Sequence, residues 1–252
     1  MKSGEIRLFG LIGYPLGHSF SAQYFNEKFC REGIPAHYEL YPMPDLNAFP
    51  ALCRAHNLSG LNVTYPHKQT ILTYLDGLDA GAEAIGAVNV IRFNNGQRIG
   101  YNTDTIGFRT SITPLLQPHH TAALILGTGG AAKAVSYALQ QLGIAVTFVS
   151  RQPDQAAIGH ACIAYNEITK ETIQHNKLII NCTPLGMAPL QDKYPPIPYN
   201  ELTDKHLLYD VIYNPRETLF LQQGREHGCL TANGLQMLHG QAAAAWEIWN
   251  KE

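Results

Sequence analysis

Apolar and polar positions along this chain fall into short blocks whose period keeps changing. Arg7–Ile12 and His37–Tyr41 read as strands, Ser21–Cys30 as a helix stopped near Gly33, and Asp45–His56 as a helix with Asp45 at its N-cap. Gly60–Thr64 predicts a strand, and Pro66 beyond it suits the first turn of a helix. Ala87–Ile91 predicts another strand. After Asp104 the pattern restarts. Ala122–Leu126 (AALIL) is a continuous apolar run, as in a sheet covered on both faces. A helix to about Leu142 follows, ended by Gly143, and then strands at Ile144–Val149, Leu178–Asn181 and Leu207–Val211. Gly234–Asn250 predicts an alanine-rich helix whose Trp246 and Trp249 serve packing. Ala188–Pro198, with Pro189, Pro195, Pro196 and Pro198, reads as a loop. Strands alternating with helices argue for α/β architecture with mostly parallel pairing.

Composition narrows the function classes. The chain has 252 residues, 45% hydrophobic and 15% charged, enough apolar material for one large or two small domains. A net charge of −2 with scattered lysine and arginine leaves no footprint for nucleic acid or an anionic membrane. Cys30, Cys53, Cys162, Cys182 and Cys229 are odd in number and form no CxxC pair, which fits free thiols in a reducing compartment. The N-terminal apolar run is broken by glycines and a proline, so no signal peptide is expected, and no run approaches a membrane span. The expected location is the cytoplasm. The eleven histidines show no HExxH spacing, and no metal is expected. His119-His120, after Pro118, reads as an exposed loop.

Gly127-Thr128-Gly129-Gly130-Ala131-Ala132 fits G-x-G-x-x-G/A directly between a strand and a helix. The first glycine allows the tight turn, the second admits a pyrophosphate, and the small last residue lets helix and strand pack. The helix N-terminus adds N–H groups and the positive end of its dipole. The alternative is a tight turn kept for packing. An NAD site places a carboxylate at the end of the second strand. Here that strand ends Ser150-Arg151-Gln152, with the first acid at Asp154. Arg151 suits a 2′-phosphate, so NADP is the expected cofactor and NAD the alternative.

A nicotinamide cofactor implies hydride transfer. Reducing a carbonyl also requires a proton for the developing oxyanion, which a cationic donor in a dry site both stabilises and supplies. Lys68, in GLNVTYPHK, has this chemistry, and Asp104, in GYNTD, is the carboxylate to hold it. Each has a plainer reading, as a solvated lysine and a helix cap.

GLNVTYPHK (60–68), GAVNV (86–90), GYNTD (100–104), GTGGAA (127–132), NCTPLGM (181–187), DVIYNPRET (210–218) and GLQMLHGQ (234–241) resemble, in order, the motif series of shikimate dehydrogenases. The resemblance spans the chain nearly end to end. It implies NADP-linked reversible reduction of 3-dehydroshikimate to shikimate, in the pathway to aromatic amino acids, with Lys68 and Asp104 as the catalytic pair. It makes Ser19 and Ser21 hydroxyl donors to the substrate carboxylate, with Tyr213 close by, and Thr64, Asn89 and Gln241 partners of the ring hydroxyls. Gly127, Gly129, Gly130 and Ala131 would lie under the pyrophosphate and Arg151 at the 2′-phosphate. Thr183, Met187 and Met237 would line the cofactor site. Ser19 and Ser21, two apart, share one side if their segment is extended. The implied fold has a substrate domain, 1–104 with 235–252, and a Rossmann-like NADP domain, 105–234. The C-terminal helix returns to the first domain, leaving a cleft free to open and close. The expected partners are small molecules, for a monomer or homodimer.

The chain departs from the family pattern at Ala22, Phe25, Val90 and Thr105, and Gln155 stands near the place of a second basic residue, which weakens strict NADP preference. Quinate or aminoshikimate dehydrogenases are neighbouring readings. A non-catalytic dinucleotide sensor would have no use for Lys68, Asp104, Asn89 and Gln241 together. A methylenetetrahydrofolate dehydrogenase leaves the paired serines and the NTD motif without a role.

Overall fold

Two stretches of buried strand sequence build two sheets in the computed structural model, which describes residues 6–17, 20–155 and 161–251. The chain divides into two compact units, 1–103 with 242–252, and 104–241.

In the first unit, β1 (Arg7–Gly13), β2 (Ala36–Pro42), β3 (Leu58–Val63), β4 (Gly77–Leu78), β5 (Val90–Asn94) and β6 (Gln97–Tyr101) form a sheet of order β2-β1-β3-β5-β6-β4. β2, β1 and β3 are parallel; β5 runs antiparallel to both β3 and β6. Alternation in β1 sends Phe9 and Leu11 to one face and Ile12 to the other, so both faces are covered. One layer is α1 (Phe20–Glu32) with the last turns of α8 (Leu235–Trp249); the other includes α2 (Phe49–Ala55) and α3 (Ala80–Ile85). Trp249 sits 4.8 Å from Phe9 and 5.2 Å from Phe25 between ring centroids, and its indole N–H donates to the Ile91 carbonyl at 3.0 Å. The tryptophans thus pack, as expected.

The second unit holds β7 (Ala122–Leu126), β8 (Ala145–Ser150), β9 (Cys162–Ala164), β10 (Leu178–Asn181), β11 (Leu207–Asp210) and β12 (Leu230–Ala232) in the order β12-β11-β10-β7-β8-β9, every pair parallel. Counted from β7, this is the doubly wound order 3-2-1-4-5-6. One face packs on α4 (Asp104–Ile112), α5 (Gly130–Gln141) and the start of α8, through Phe108, Val135, Leu139 and Met237. The other packs on α6 (Lys170–His175) and α7 (Leu219–Glu226), through Ile173, Phe220 and Leu221. Residues 188–198 form no regular element, as their prolines predict. Among the described residues, no helix is long and apolar enough to cross a membrane.

Four expectations change. The segment after Pro66 is a run of turns and then a 3-10 helix, Thr70–Tyr74, not a helix opened by the proline. Asp45 does cap, accepting from the Asn47 N–H at 2.8 Å, but the element it caps is the 3-10 turn Leu46–Ala48, ahead of α2. The strand expected over 87–91 is shifted to Val90–Asn94 and belongs to a hairpin with β6. Its Asn95-Gly96 turn has positive φ at both positions, 49° and 79°, a signal written in the sequence.

The fourth concerns His120, which is buried, together with His206. The Thr203 N–H donates to His206 Nδ1 at 3.0 Å, and Nε2 lies 3.0 Å from the Ile173 carbonyl. His120 repeats the arrangement with the Gln117 N–H and the Lys205 carbonyl. Only a neutral ring protonated at Nε2 meets both partners. Burial lowers the pKa of both rings. Unfolding therefore takes up protons once pH falls through the ordinary histidine value of about 6.5, and stability is lost in that direction. Urea midpoints at pH 7.5 and 5.5 should show a larger acid-side loss in the wild type than in His206→Gln. An equal loss in both would clear the imidazole.

Candidate active site

Three segments far apart in sequence meet at the turn 87–89 of the first unit. The Lys68 carbonyl accepts the Val88 N–H at 2.7 Å, and the Asn89 carbonyl accepts the Val63 N–H at 2.8 Å. On the other side, Asn89 N–H donates to the Tyr101 carbonyl at 3.0 Å, and the Asn102 side chain donates to the Ala87 carbonyl at 2.9 Å. GLNVTYPHK, GAVNV and GYNTD are thus one hydrogen-bonded junction. Half-buried Lys68 hangs from it on one side. Thr64, also half-buried, precedes it, tied through its N–H to Ile12 and its carbonyl to His67. The buried His67 ring is fixed by the Met43 carbonyl at 2.6 Å.

The Asn89 side chain is 2% exposed and reaches Thr103 from both ends. Its Oδ1 accepts the Thr103 N–H at 2.7 Å and its amide donates to Thr103 Oγ1 at 3.1 Å. Thr103 directly precedes Asp104, the first residue of α4 and itself buried. A second chain of bonds runs from Ser21 to the Tyr38 phenol, from that phenol to Asn62 Oδ1 at 2.7 Å, and from the Asn62 amide to the Asn89 carbonyl at 3.3 Å. Burial pushes the Tyr38 phenol well up and the Ser21 bond pulls it partly back, so it stays a donor. Ser21 lies in the first turn of α1, so it does not share an extended segment with Ser19. Ser19 itself lies outside the described residues, as does His18.

In the second unit, α4 and α8 touch at glycines. A Cβ on Gly107 would stand 2.3 Å from the Met237 carbonyl oxygen and 2.8 Å from the Gln241 nitrogen, which no side chain tolerates. The helix that starts with Asp104 and the helix that carries Gln241 are held together by that close approach. Met237 is buried, in the same core cluster as Phe108 and Tyr209.

Because every strand pair here is parallel, the β7, β8, β10 and β11 C-termini share one edge, and the chain switches direction between β7 and β10. Ligands of such sheets bind at that switch. Gly127 leaves β7 with φ +103°, and a Cβ on it would come within 3.2 Å of the Cys182 carbonyl and 3.3 Å of Thr183 Cγ2. Gly129 is the N-cap of α5 and supplies no side-chain cap; Gly130 and Ala131 open the helix. Nothing lies within 4 Å of where a Gly129 Cβ would be. A helix N-terminus without a side-chain cap, with open space beside Gly129, suits a pyrophosphate, so the turn fits a dinucleotide. Arg151 follows β8, exposed, near Tyr165. Burial pushes the Tyr165 phenol up to about 12, and the guanidinium opposes that shift. Thr183 is clasped to Asn181 Oδ1 through its N–H at 3.0 Å and its hydroxyl at 2.6 Å. Met187 is exposed, and Tyr213, half-buried, has its phenol pKa raised by burial.

A family profile described as the shikimate dehydrogenase substrate binding domain matches residues 11–91, which take in Ser21, Thr64, Lys68 and Asn89. A shikimate dehydrogenase (NADP(+)) of Symbiobacterium thermophilum is 36% identical, over 98% of this chain and 90% of its own. That of Methanococcus maripaludis is 37% identical, over 99% and 94%. The chain belongs to the shikimate dehydrogenase family. A shikimate dehydrogenase of Thermus thermophilus, solved in complex with NADP(H) and shikimate, matches the fold with a TM-score of 0.86 at 29% identity, covering 97% of this chain and 94% of that one. The family's two-domain α/β architecture is therefore the one seen here.

Sequence reasoning missed Tyr38, Asn62 and Thr103 as supports of the site. Asn62 did carry a signal: it is a polar side chain inside a strand whose other positions are apolar or glycine apart from Ser59. Buried amides keep such places when they have partners. Asn181, Asp210 and Thr218, at the edge of the second sheet, were also unmarked, although all three are buried.

Proposed function

We propose that this chain is an NADP-dependent shikimate dehydrogenase, reducing 3-dehydroshikimate reversibly to shikimate with Lys68 and Asp104 as its acid–base pair. The observation that carries the reading is the 87–89 junction. It ties the backbone of Lys68 to one side of Asn89 and the residue before Asp104 to the other, so two groups far apart in sequence answer to one rigid turn. Bound NADPH supplies the hydride. The Lys68 ammonium stabilises the charge growing on the ketone oxygen and delivers the proton, and in the oxidative direction it takes that proton back. Asp104 orients the ammonium. Asn89, Thr64 and Gln241 offer donors and acceptors to ring hydroxyls, and Ser19, Ser21 and Tyr213 offer donors to the carboxylate. The cofactor is held by the turn of Gly127, Gly129, Gly130 and Ala131, with Arg151 at the 2′-phosphate and Thr183, Met187 and Met237 along its length.

A steady-state panel of shikimate and quinate, each with NADP and NAD, tests the assignment. Shikimate with NADP should give the highest kcat/KM by at least tenfold. Quinate oxidation above shikimate oxidation would overturn the substrate reading. Arg151 should account for most of the cofactor preference. A hydrogen bond to a charged group is worth about 1.5–3 kcal/mol, roughly ten- to hundredfold. Arg151→Ala is expected to raise KM for NADP by about that factor and to leave KM for NAD where it was. Equal changes for both coenzymes would remove the guanidinium from the 2′-phosphate.

A further inference from the structure

β10 and β11 end side by side, with Asn181 paired in register to Asp210. The Asp210 carboxylate is fully buried and accepts three neutral donors. Asn181 Nδ2 reaches its Oδ1 at 3.1 Å, the Ile212 N–H reaches the same oxygen at 3.0 Å, and the Thr218 hydroxyl reaches Oδ2 at 2.6 Å. Each donor belongs to a different piece of the edge. Asn181 holds Thr183 through Oδ1 and, through its amide, the Leu185 carbonyl at 3.1 Å, which shapes the loop that ends in Met187. Ile212 lies just past the end of β11. Thr218 is the N-cap of α7, accepting from the Leu221 N–H at 3.4 Å. Thr183 in turn lies against the Gly127 turn.

We propose that Asp210 is a positioning residue for the coenzyme: its carboxylate sets the 183–187 loop against the Gly127 turn, and so sets the affinity for the dinucleotide. This rests on the reading that the 127–131 turn and the 183–187 loop hold NADP. Burial pushes the carboxyl up to about 6, and the Thr218, Ile212 and Asn181 bonds oppose the rise. Those three donors are what favour the ionised form, and all three partners donate. A neutral amide at this position keeps only one acceptor oxygen: with that oxygen on Asn181 and Ile212, its NH2 faces Thr218, whose hydroxyl must then accept instead of donate.

The test uses the full chain. NADPH binding is measured by titration, and kcat and KM by steady state, for the wild type, Asp210→Asn, Thr218→Val and Thr218→Ser. Asp210→Asn should raise Kd for NADPH and KM for NADP by about tenfold, with KM for shikimate unchanged and kcat at saturating coenzyme within about threefold. Thr218→Val removes one of the three donors and should raise Kd about threefold; Thr218→Ser restores the hydroxyl and should return it to the wild-type value. A folded Asp210→Asn with wild-type affinity for NADPH overturns the proposal. So does an equal rise in KM for both substrates. Should Asp210→Asn fail to fold, the threonine pair decides, and equal affinities in Thr218→Val and Thr218→Ser overturn it. A wild type that does not bind NADPH overturns the coenzyme reading and this proposal with it, whereas normal wild-type binding with an unaffected variant overturns this proposal alone.

Discussion

Lys68→Met is expected to lower kcat for shikimate oxidation by about a thousandfold, with KM for shikimate and NADP within a few-fold of wild type. A positioned proton donor or acceptor contributes typically 10²–10⁴ in rate, and the neighbouring His67 is no replacement, because it is buried with its ring bonded to the Met43 carbonyl. Methionine is unbranched like lysine and keeps most of its apolar stem. The side chain is only half buried and its carbonyl, which the substitution leaves in place, makes the bond to Val88. The far-ultraviolet circular dichroism and melting temperature should therefore stay close to wild type. A variant with kcat within tenfold of wild type would remove Lys68 from the chemistry.

Asp104→Asn is expected to lower kcat by about 10²–10³, again at nearly unchanged stability. The carboxylate is buried in the first turn of α4, and asparagine keeps its size and one of its acceptor oxygens there, so the fold should be retained. The expected loss in rate is that of an ammonium left unoriented in the proposed pair. If the two residues act as one unit, the double variant is no slower than Lys68→Met alone. Multiplicative losses would show two independent roles and would sink the pair as proposed.

The elements that were legible are those in which local pattern and burial agree. AALIL reads as a strand covered on both faces, and it is β7, with every residue buried. LIIN at 178–181 is β10 without a shift at either end. The glycine turn between strand and helix was readable because its requirements are backbone requirements of neighbouring residues. Pro66 misled because a proline that suits a helix start also suits a turn, and the residues after it form a 3-10 segment. The hairpin of β5 and β6 was overlooked although Asn95-Gly96 announced it.

The support of the site was hidden for a different reason. Tyr38 meets Asn62 across 24 residues, Asn89 meets Thr103 across 14, and Asn181 meets Asp210 across 29. No local window pairs such residues, and each alone looks like an ordinary polar position. His120 likewise reads as a loop residue until the Lys205 carbonyl, 85 positions away, is placed beside its ring.

By itself the sequence determined the strand–helix rhythm, the phosphate turn, the family and the identity of the residues that carry charge, because all of these depend on residue type and short spacing. The tertiary structure alone decided which polar side chains are buried together: the turn 87–89 that gathers three motifs, the glycine contact that binds α4 to α8, and the carboxylate that ties three loops at the edge of the second sheet. The physical reason is that a buried polar group is stable only with its partner present, and the partner is chosen by how the strands pair and the helices pack rather than by the residues next to it in the chain.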